Sequence, residues 1–197
     1  REAAVTLGYR PDGYVLAVSR LVPEKGLDVL VDALEQAATA GAPLPLPVAV
    51  AGQARQPSAF SHALEQRAVR TDPPVRLLGV QPAEVVHGLY AHARALVAPS
   101  RAEGNPLTVI EAMAHGCCVV ASDIPPHREL LGDAGLLVPV GDAGALGAAL
   151  RRVAEEPDLA HALGARARER IEASDEYQWD GVAARTESVL EAALAAG

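Results

Sequence analysis

The sequence predicts an α/β protein built on one parallel sheet with helices on both of its faces. Six short apolar runs lack polar alternation, which is typical of strands buried on both sides. The segments between these runs repeat apolar residues at helical spacing. With 197 residues, 50% of them hydrophobic, the chain is long enough to bury a core of this kind. Right-handed crossovers then favour a doubly wound, Rossmann-like domain of about six strands.

The predicted strands are short apolar runs bounded by turn residues. The first follows Pro11, Asp12 and Gly13, while Gly52 and Gly79 stop the second and the third. The runs cover residues 14–19, 47–51, 75–78, 95–98, 118–121 and 135–138.

Helical spacing marks the segments that follow the strands. Leucine and valine recur at this spacing directly after Gly26. Pro82 and Pro106 stand where helices begin, because proline is favoured at the first helical position. The first predicted helix starts at Gly26. The others cover residues 57–69, 83–93, 106–115, 142–155, 158–172 and 177–195.

Composition and charge exclude several classes of protein. The chain has 17 basic and 25 acidic residues, a net charge of −8, which argues against a nucleic-acid partner. No apolar run is long enough to span a membrane and no secretory signal is visible, so we expect a cytoplasmic protein. The neighbours Cys117 and Cys118 fit two buried thiols in a reducing compartment. Because the chain starts at Arg1 and its single methionine is Met113, we expect it to be a piece of a longer protein or a processed product.

In sheets of this type, ligands bind beyond the carboxyl ends of the strands. The loop after the first strand carries Arg20 and Lys25, directly before the helix that starts at Gly26. Two cations near a helix N-terminus predict an anion site, because the free amides of the helix also attract negative charge. The alternative is a pair of solvated surface cations, one of them paired with Glu24. The other loops at this edge are 52–57, 79–82, 99–106 and 122–127.

The loop after the fourth strand leads into a helix and holds a second group of candidates. Gly104 lets the backbone approach a ligand closely, and Asn105 is the expected N-cap of the helix. The amides of Leu107 and Thr108 then face the same edge of the sheet. Glu111, one turn into the helix, could accept two hydrogen bonds from a vicinal diol such as a ribose. The alternative is a solvated glutamate on an ordinary helix face.

Several motifs are absent from the sequence. No G-x-G-x-x-G follows the first strand and no Walker motif occurs, which disfavours a dinucleotide dehydrogenase and a P-loop NTPase. A nucleophile elbow of the G-x-S-x-G type is also missing, which disfavours a hydrolase. The histidines and cysteines show no recognised metal-ligand spacing.

The chain contains, in order, S-R-L-V-P-E-K-G, V-R-L-L-G, A-P-S-R-A-E-G-N-P-L-T-V-I-E-A-M-A-H-G and V-V-A-S-D-I-P-P-H-R-E. Taken together, these segments resemble the C-terminal half of the retaining glycosyltransferases of family 4. The fit extends over residues 14–140, and its most specific piece is the pair Glu103 and Glu111. Such enzymes have the GT-B fold, in which two Rossmann-like domains face a cleft and the C-terminal domain mostly binds the nucleotide-sugar donor.

The resemblance implies a role for each matching residue. Arg20 and Lys25 would bind the diphosphate of the donor and stabilise the departing nucleoside diphosphate, while Glu103 would contact hydroxyls of the transferred sugar. These three would be the catalytic residues, and Glu111 would bind the ribose hydroxyls. Backbone groups would complete the site: Gly104, Asn105, Leu107 and Thr108 beside the sugar and phosphates, and Leu78, Gly79 and Val80 beside the base.

The resemblance also implies the chemistry and the partners. A UDP-, GDP- or ADP-sugar would donate a hexosyl group with retention, by same-face attack and without a metal or other cofactor. The acceptor would bind an N-terminal domain missing here, joined to the donor domain (14–176) through residues 1–13 and reached by the helix at 177–197. We therefore expect the isolated domain to be inactive. The resemblance is compatible with association of the full enzyme with the inner face of the membrane. The apolar stripe with Val182, Val189 and Leu190 is compatible with a homodimer.

Two other interpretations remain open at this point. Sugar-nucleotide epimerases with a similar fold would carry an acid or base in the cleft, and His127 is the histidine that the pattern places near it. A non-catalytic nucleotide-binding module would need none of these groups. The intact set Arg20, Lys25, Glu103 and Glu111 argues against such decay.

Overall fold

The computed structural model describes residue 4, residues 6–177 and residues 179–195. It contains one six-stranded sheet in which neighbouring strands are parallel, in the order β3-β2-β1-β4-β5-β6. The doubly wound, Rossmann-like fold predicted from the apolar runs is therefore confirmed. The strands are β1 (Val15–Val18), β2 (Val48–Ala51), β3 (Val75–Gly79), β4 (Ala95–Ala98), β5 (Cys118–Ser122) and β6 (Leu136–Val138).

Helices cover both faces of the sheet. Buried side chains of α1, α2 and α6 pack on one face and those of α3, α4 and α5 on the other, while α7 contributes to both. Most helices end within three residues of the predicted limits. They are α1 (Leu27–Thr39), α2 (Ala59–Ala68), α3 (Ala83–Tyr90), α4 (Leu107–Ala114), α5 (Pro125–Leu131), α6 (Ala143–Glu155), α7 (Pro157–Glu172) and α8 (Trp179–Ala195).

The strand order reverses between β1 and β4. Val15 of β1 pairs with Val48 of β2 on one side and with Ala95 of β4 on the other. From β1 the chain winds outward to β2 and β3, and from β4 it winds the other way to β5 and β6. The loops that leave β1 and β4 therefore diverge to opposite faces and open a crevice at this edge.

Alternation along the strands builds two separate layers of core. Val15 and Ala17 belong to the layer under α1, whereas Leu16 belongs to the layer under α4, as alternate strand positions require. The same rule puts Cys117 and Cys118 in different layers, where both are buried and free. Burial raises the pKa of both thiols, so they pack as small neutral groups.

Two helix starts differ from the prediction. Residues 122–127 were expected to form a loop, yet α5 begins at Pro125 because its two prolines occupy the first positions, where no intrahelical bond is needed. Helix α4 begins at Leu107 with Pro106, and not Asn105, at the N-cap. The carbonyl of Asn105 instead accepts the Leu107 amide at 2.9 Å in the turn before the helix.

Helix α8 lies at the surface. It packs against the preceding Asp175–Tyr177 turn, and Val189, Leu190 and Leu194 are exposed. Among the described residues, no helix is both long enough and apolar enough to cross a membrane.

Candidate functional site

Two charged side chains meet in the crevice between β1 and β4. Lys25, in the short turn Pro23–Lys25 after β1, donates from Nζ to both carboxylate oxygens of Glu103, at 2.6 and 2.8 Å. The two side chains are only 20% and 11% exposed. Lys25 therefore pairs with Glu103 and not with Glu24, and the fold joins two predicted site residues that lie 78 positions apart.

A second layer of polar groups holds Glu103 from behind. The hydroxyl of Ser100 donates to Glu103 Oε1 at 2.7 Å. The hydroxyl of Ser122 donates to the carbonyl of Ser100, and both serines are buried. Because Glu103 is bonded on two sides, its carboxylate is an oriented acceptor and not a freely rotating one.

A pocket of about 390 Å³ opens beside Lys25. This volume falls in the range of sites that bind small molecules. Four predicted site residues line it, namely Arg20, Lys25, Val80 and Thr108. Other predicted residues are not among its lining groups: Leu78, Gly79, Glu103, Gly104, Asn105, Leu107 and Glu111. The remaining lining residues are Val18, Ser19, Ala51, Gly52, Gln53, Gln81 and Val86.

Arg20 gives this pocket an exposed positive charge. Its side chain forms no ion pair within the part of the chain that the structure describes. Lys25, by contrast, is already matched by Glu103. The pocket therefore keeps one uncompensated guanidinium, a group suited to gripping phosphate or carboxylate oxygens.

Of residues 78–80 only Val80 lines the pocket, and the carbonyls of Leu78 and Gly79 already have donors. Gln81 donates from Nε2 to the Leu78 carbonyl at 2.5 Å, and the Gly52 amide donates to the Gly79 carbonyl at 2.7 Å. Val80 follows with an exposed side chain. The sequence did not point to Gln81, which both shapes this segment and lines the pocket.

Glu111 is held by an aromatic residue that the sequence analysis missed. Tyr90, which is fully buried at the end of α3, donates its hydroxyl to Glu111 Oε2 at 3.1 Å. Burial, followed by the nearby Glu111 charge, raises the pKa of Tyr90, so the phenol stays a donor. Glu111 Oε1 carries no such bond within the described residues. Val109 and Met113 of α4 are fully buried in the core.

The segment between Glu103 and α4 differs from the expected arrangement of free amides. The Leu107 amide is engaged by the carbonyl of Asn105. Thr108 lies in the first helical turn and lines the pocket. A Cβ on Gly104 would have no protein atom within 4 Å, so packing within this chain does not require a glycine there.

His127 lies behind the pocket and not in it. The residue is fully buried, and its Nδ1 donates to the Ser122 carbonyl at 2.9 Å, since a carbonyl can only accept. Its Nε2 has no partner among the described residues. Burial lowers the pKa of His127, so the ring is neutral at pH 7. A ring without solvent contact does not serve the acid–base role that an epimerase would need.

The buried neutral ring predicts a pH dependence of stability. In the unfolded chain His127 has an ordinary pKa of about 6.5, so the unfolded state binds the proton first as the pH falls. The stabilisation is therefore present above that pKa and decreases below it. We expect the free energy of unfolding of the wild type to decrease between pH 7 and pH 5. This decrease should be smaller in His127→Phe, which takes up as much as about one proton fewer on unfolding than the wild type does. Urea titrations across this range measure the effect, with the exposed His62→Phe as control. An equal pH dependence in both variants would contradict the assignment.

No group of three or more potential metal ligands comes together within the described residues. The arrangement can bind an anion through Arg20 and Lys25, and it can accept hydrogen bonds from hydroxyls through Glu103 and Glu111.

Comparison with known sequences shows the family of this chain. A family model described as "Glycosyl transferases group 1" matches residues 12–156, which include both loops of the crevice. The chain belongs to the group 1 glycosyltransferases. The match confirms the resemblance noted in the sequence at the level of the glycosyltransferase family.

Individual relatives agree with the family. The phosphatidyl-myo-inositol mannosyltransferase of Mycolicibacterium smegmatis is 42% identical over 97 residues, which are 48% of this chain and 24% of that protein. A GDP-mannose-dependent monoacylated alpha-(1-6)-phosphatidylinositol monomannoside mannosyltransferase of Corynebacterium glutamicum is 28% identical over 194 residues, 94% of this chain and 49% of that protein.

Among solved structures, a sucrose-phosphate synthase from Thermosynechococcus elongatus has a TM-score of 0.82 at 28% identity, and it covers 100% of this chain and 49% of its own. The group 1 domain thus spans about half the length of these relatives or less.

Proposed function

We propose that the chain is the donor-binding domain of a retaining glycosyltransferase that transfers a hexosyl group from a nucleoside-diphosphate sugar. The observation that carries the proposal is the meeting of Lys25 and Glu103 at the strand-order reversal, beside a pocket with the unpaired Arg20. Cations and an oriented carboxylate in one crevice suit a substrate whose charged diphosphate adjoins a neutral, hydroxyl-rich sugar.

The two cations act where negative charge grows. As the bond from the sugar to the diphosphate breaks, charge accumulates on the leaving oxygens, and Arg20 and Lys25 stabilise it. Lys25 donates two of its three N–H groups to Glu103, and the third is available to a phosphate oxygen. With this charge supplied by side chains, the proposal includes no metal and no other cofactor.

The two carboxylates accept hydrogen bonds from hydroxyls of different parts of the donor. Glu103, oriented by Ser100, accepts hydrogen bonds from the transferred sugar. Glu111, with Oε2 on Tyr90, offers Oε1 to the ribose. The backbone of residues 78–80 lies against the base, and the segment from Gly104 to Thr108 lies beside the sugar and the phosphates.

The relatives suggest the donor and the missing part of the enzyme. Since mannosyltransferases are among them, GDP-mannose is the first donor to test, followed by UDP- and ADP-sugars. The acceptor would bind an N-terminal domain, linked through residues 1–13, in a cytoplasmic enzyme. The exposed apolar residues of α8 would contact that domain, and without it they would be free to pair two copies of the chain. The donor domain alone would not transfer sugar.

A thermal-shift panel with GDP, UDP, ADP and their sugars tests the proposal. Ligand at about 100 times its Kd should add roughly 2.7 kcal/mol to the free energy of unfolding of the wild type. We expect one nucleotide to stabilise the protein, and Glu111→Ala to reduce that shift while its Tm without ligand stays within a few degrees. Glu187→Ala, on exposed α8, is the matched control. No shift with any nucleotide, for this chain and for the full-length enzyme, would refute the proposal.

A further inference from the structure

The turn that carries Lys25 is not held in place by the core. None of the residues Pro23–Lys25 is buried, and the turn has no side-chain capping bond. A surface segment with few apolar contacts opens easily unless other bonds restrain it. Buried Leu21 and Leu27 flank the turn, and two backbone bonds close it, from the Lys25 amide to the Val22 carbonyl and from the Gly26 amide to the Pro23 carbonyl. Bonds to the turn from another loop would restrain it further against Glu103.

Arg101, two positions before Glu103, supplies these restraints. Its NH1 donates to the Pro23 carbonyl at 2.5 Å and to Asp28 Oδ1 at 2.8 Å, while NH2 donates to Asp28 Oδ2 at 2.6 Å. Its backbone amide donates to the Glu24 carbonyl at 2.8 Å. One residue of the β4 loop thus bonds the turn at two carbonyls and the first turn of α1 at a carboxylate.

We propose that Arg101 is a positioning residue that holds Lys25 against Glu103 and so preorganises the diphosphate end of the donor site. It touches neither the pocket lining nor the reacting groups, and it acts through the turn. The nucleotide part of this proposal rests on the proposed function, whereas the restraint on Lys25 does not.

Charge and shape both favour an arginine at this position. Burial raises the pKa of Asp28, but hydrogen bonds and the charge of Arg101 outweigh that effect and leave it lowered, so the pair is ionised at pH 7. The guanidinium donates from NH1 and NH2 to the two oxygens of Asp28 and from NH1 also to the Pro23 carbonyl, a planar fork that a lysine ammonium could not match. Arg101→Lys therefore keeps the charge and loses most of the restraint.

The single lysine of the sequence makes the restraint measurable without any ligand. Acetylation of Lys25 by an amine reagent, followed by mass spectrometry and referenced to the N-terminal amine, reports how often its amine leaves Glu103. We expect a rate several-fold higher in Arg101→Ala than in the wild type. In Arg101→Lys, where peptide mapping separates Lys25 from the added lysine, we expect an intermediate rate at Lys25. Arg67→Ala is the matched control, because Arg67 of α2 also bonds a neighbouring element, α1, through the carboxylates of Asp32 and Glu35 and is equally exposed, at 38% against 39%. An unchanged rate in Arg101→Ala would overturn the proposal, whatever the protein binds.

A mutant cycle then tests the functional part. For the nucleoside diphosphate that the wild type binds, we expect Arg101→Ala to raise Kd about tenfold and to add almost nothing in a Lys25→Met background. The corresponding monophosphate should lose less affinity than the diphosphate. A tenfold loss in both backgrounds would show that Arg101 does not act through Lys25 and would overturn the proposal. If the wild type binds no nucleotide while acetylation behaves as expected, the proposed function fails and the restraint stands.

Discussion

Lys25→Met is expected to weaken binding of nucleoside diphosphates by about a hundredfold. The ammonium of Lys25 reaches both the pocket and Glu103, and charge-assisted bonds to phosphate are worth about 1.5–3 kcal/mol each. A hundredfold change in Kd corresponds to about 2.7 kcal/mol, which one or two such bonds supply. Isothermal titration of GDP and UDP against both proteins measures the change.

A second variant separates binding from folding in this experiment. Lys25→Met leaves the Glu103 carboxylate 11% exposed and without its cation, which we expect to lower the free energy of unfolding by about 2 kcal/mol. Adding Glu103→Gln should recover much of that stability without recovering affinity for the diphosphate. Arg152→Met, which removes an exposed cation from a pair on α6, should change neither quantity. Diphosphate affinity equal to that of the wild type in Lys25→Met would remove Lys25 from the donor site.

Gly26→Ala is expected to lower the free energy of unfolding by more than about 3 kcal/mol. Gly26 has φ +64° at the start of α1, and a Cβ there would lie 2.0 Å from the carbonyl oxygen of Pro99. Backbone strain costs about 1 kcal/mol and displacing a backbone carbonyl costs more. This close approach brings the loop after β1 against the loop after β4.

The chain contains a control that isolates the close approach. Gly41 has φ +70°, but a Cβ there would meet nothing within 4 Å. Gly41→Ala therefore carries the backbone strain alone, and we expect it to cost about 1 kcal/mol. Urea denaturation of both variants gives the difference, and the same samples can be tested for nucleotide binding. Equal losses at the two glycines would mean that the two loops do not pack as closely as the structure has them.

The sheet was predictable because its strands are buried on both faces. Continuous apolar runs such as 118–121 have few alternatives to a central parallel strand, and Gly52, directly after β2, and Gly79, the last residue of β3, mark where those strands end. The prolines of α5 show the limit of such patterns. Pro125 and Pro126 are typical of a loop, and only the packing of Leu130 and Leu131 against the core makes the segment a helix.

The candidate site was predictable by location and not by its bonds. The rule that ligands bind beyond the carboxyl ends of parallel strands placed Lys25 and Glu103 at one edge from their positions after β1 and β4. The supporting groups carried no such signal. Tyr90 lies at the end of α3, which follows β3 in the chain. Its bond to Glu111 depends on how α3 packs beside α4.

The sequence by itself determined which residues form strands, that the sheet is parallel and doubly wound, and which charged residues follow its strand ends, because these follow from local periodicity and from turn residues. Only the tertiary structure decided that Lys25 pairs with Glu103 instead of Glu24, that His127 is buried behind the pocket, and that Arg101 ties the two loops together. These contacts join segments that are distant along the chain. Their geometry depends on how closely whole loops and helices pack, and no local pattern in the sequence encodes that distance.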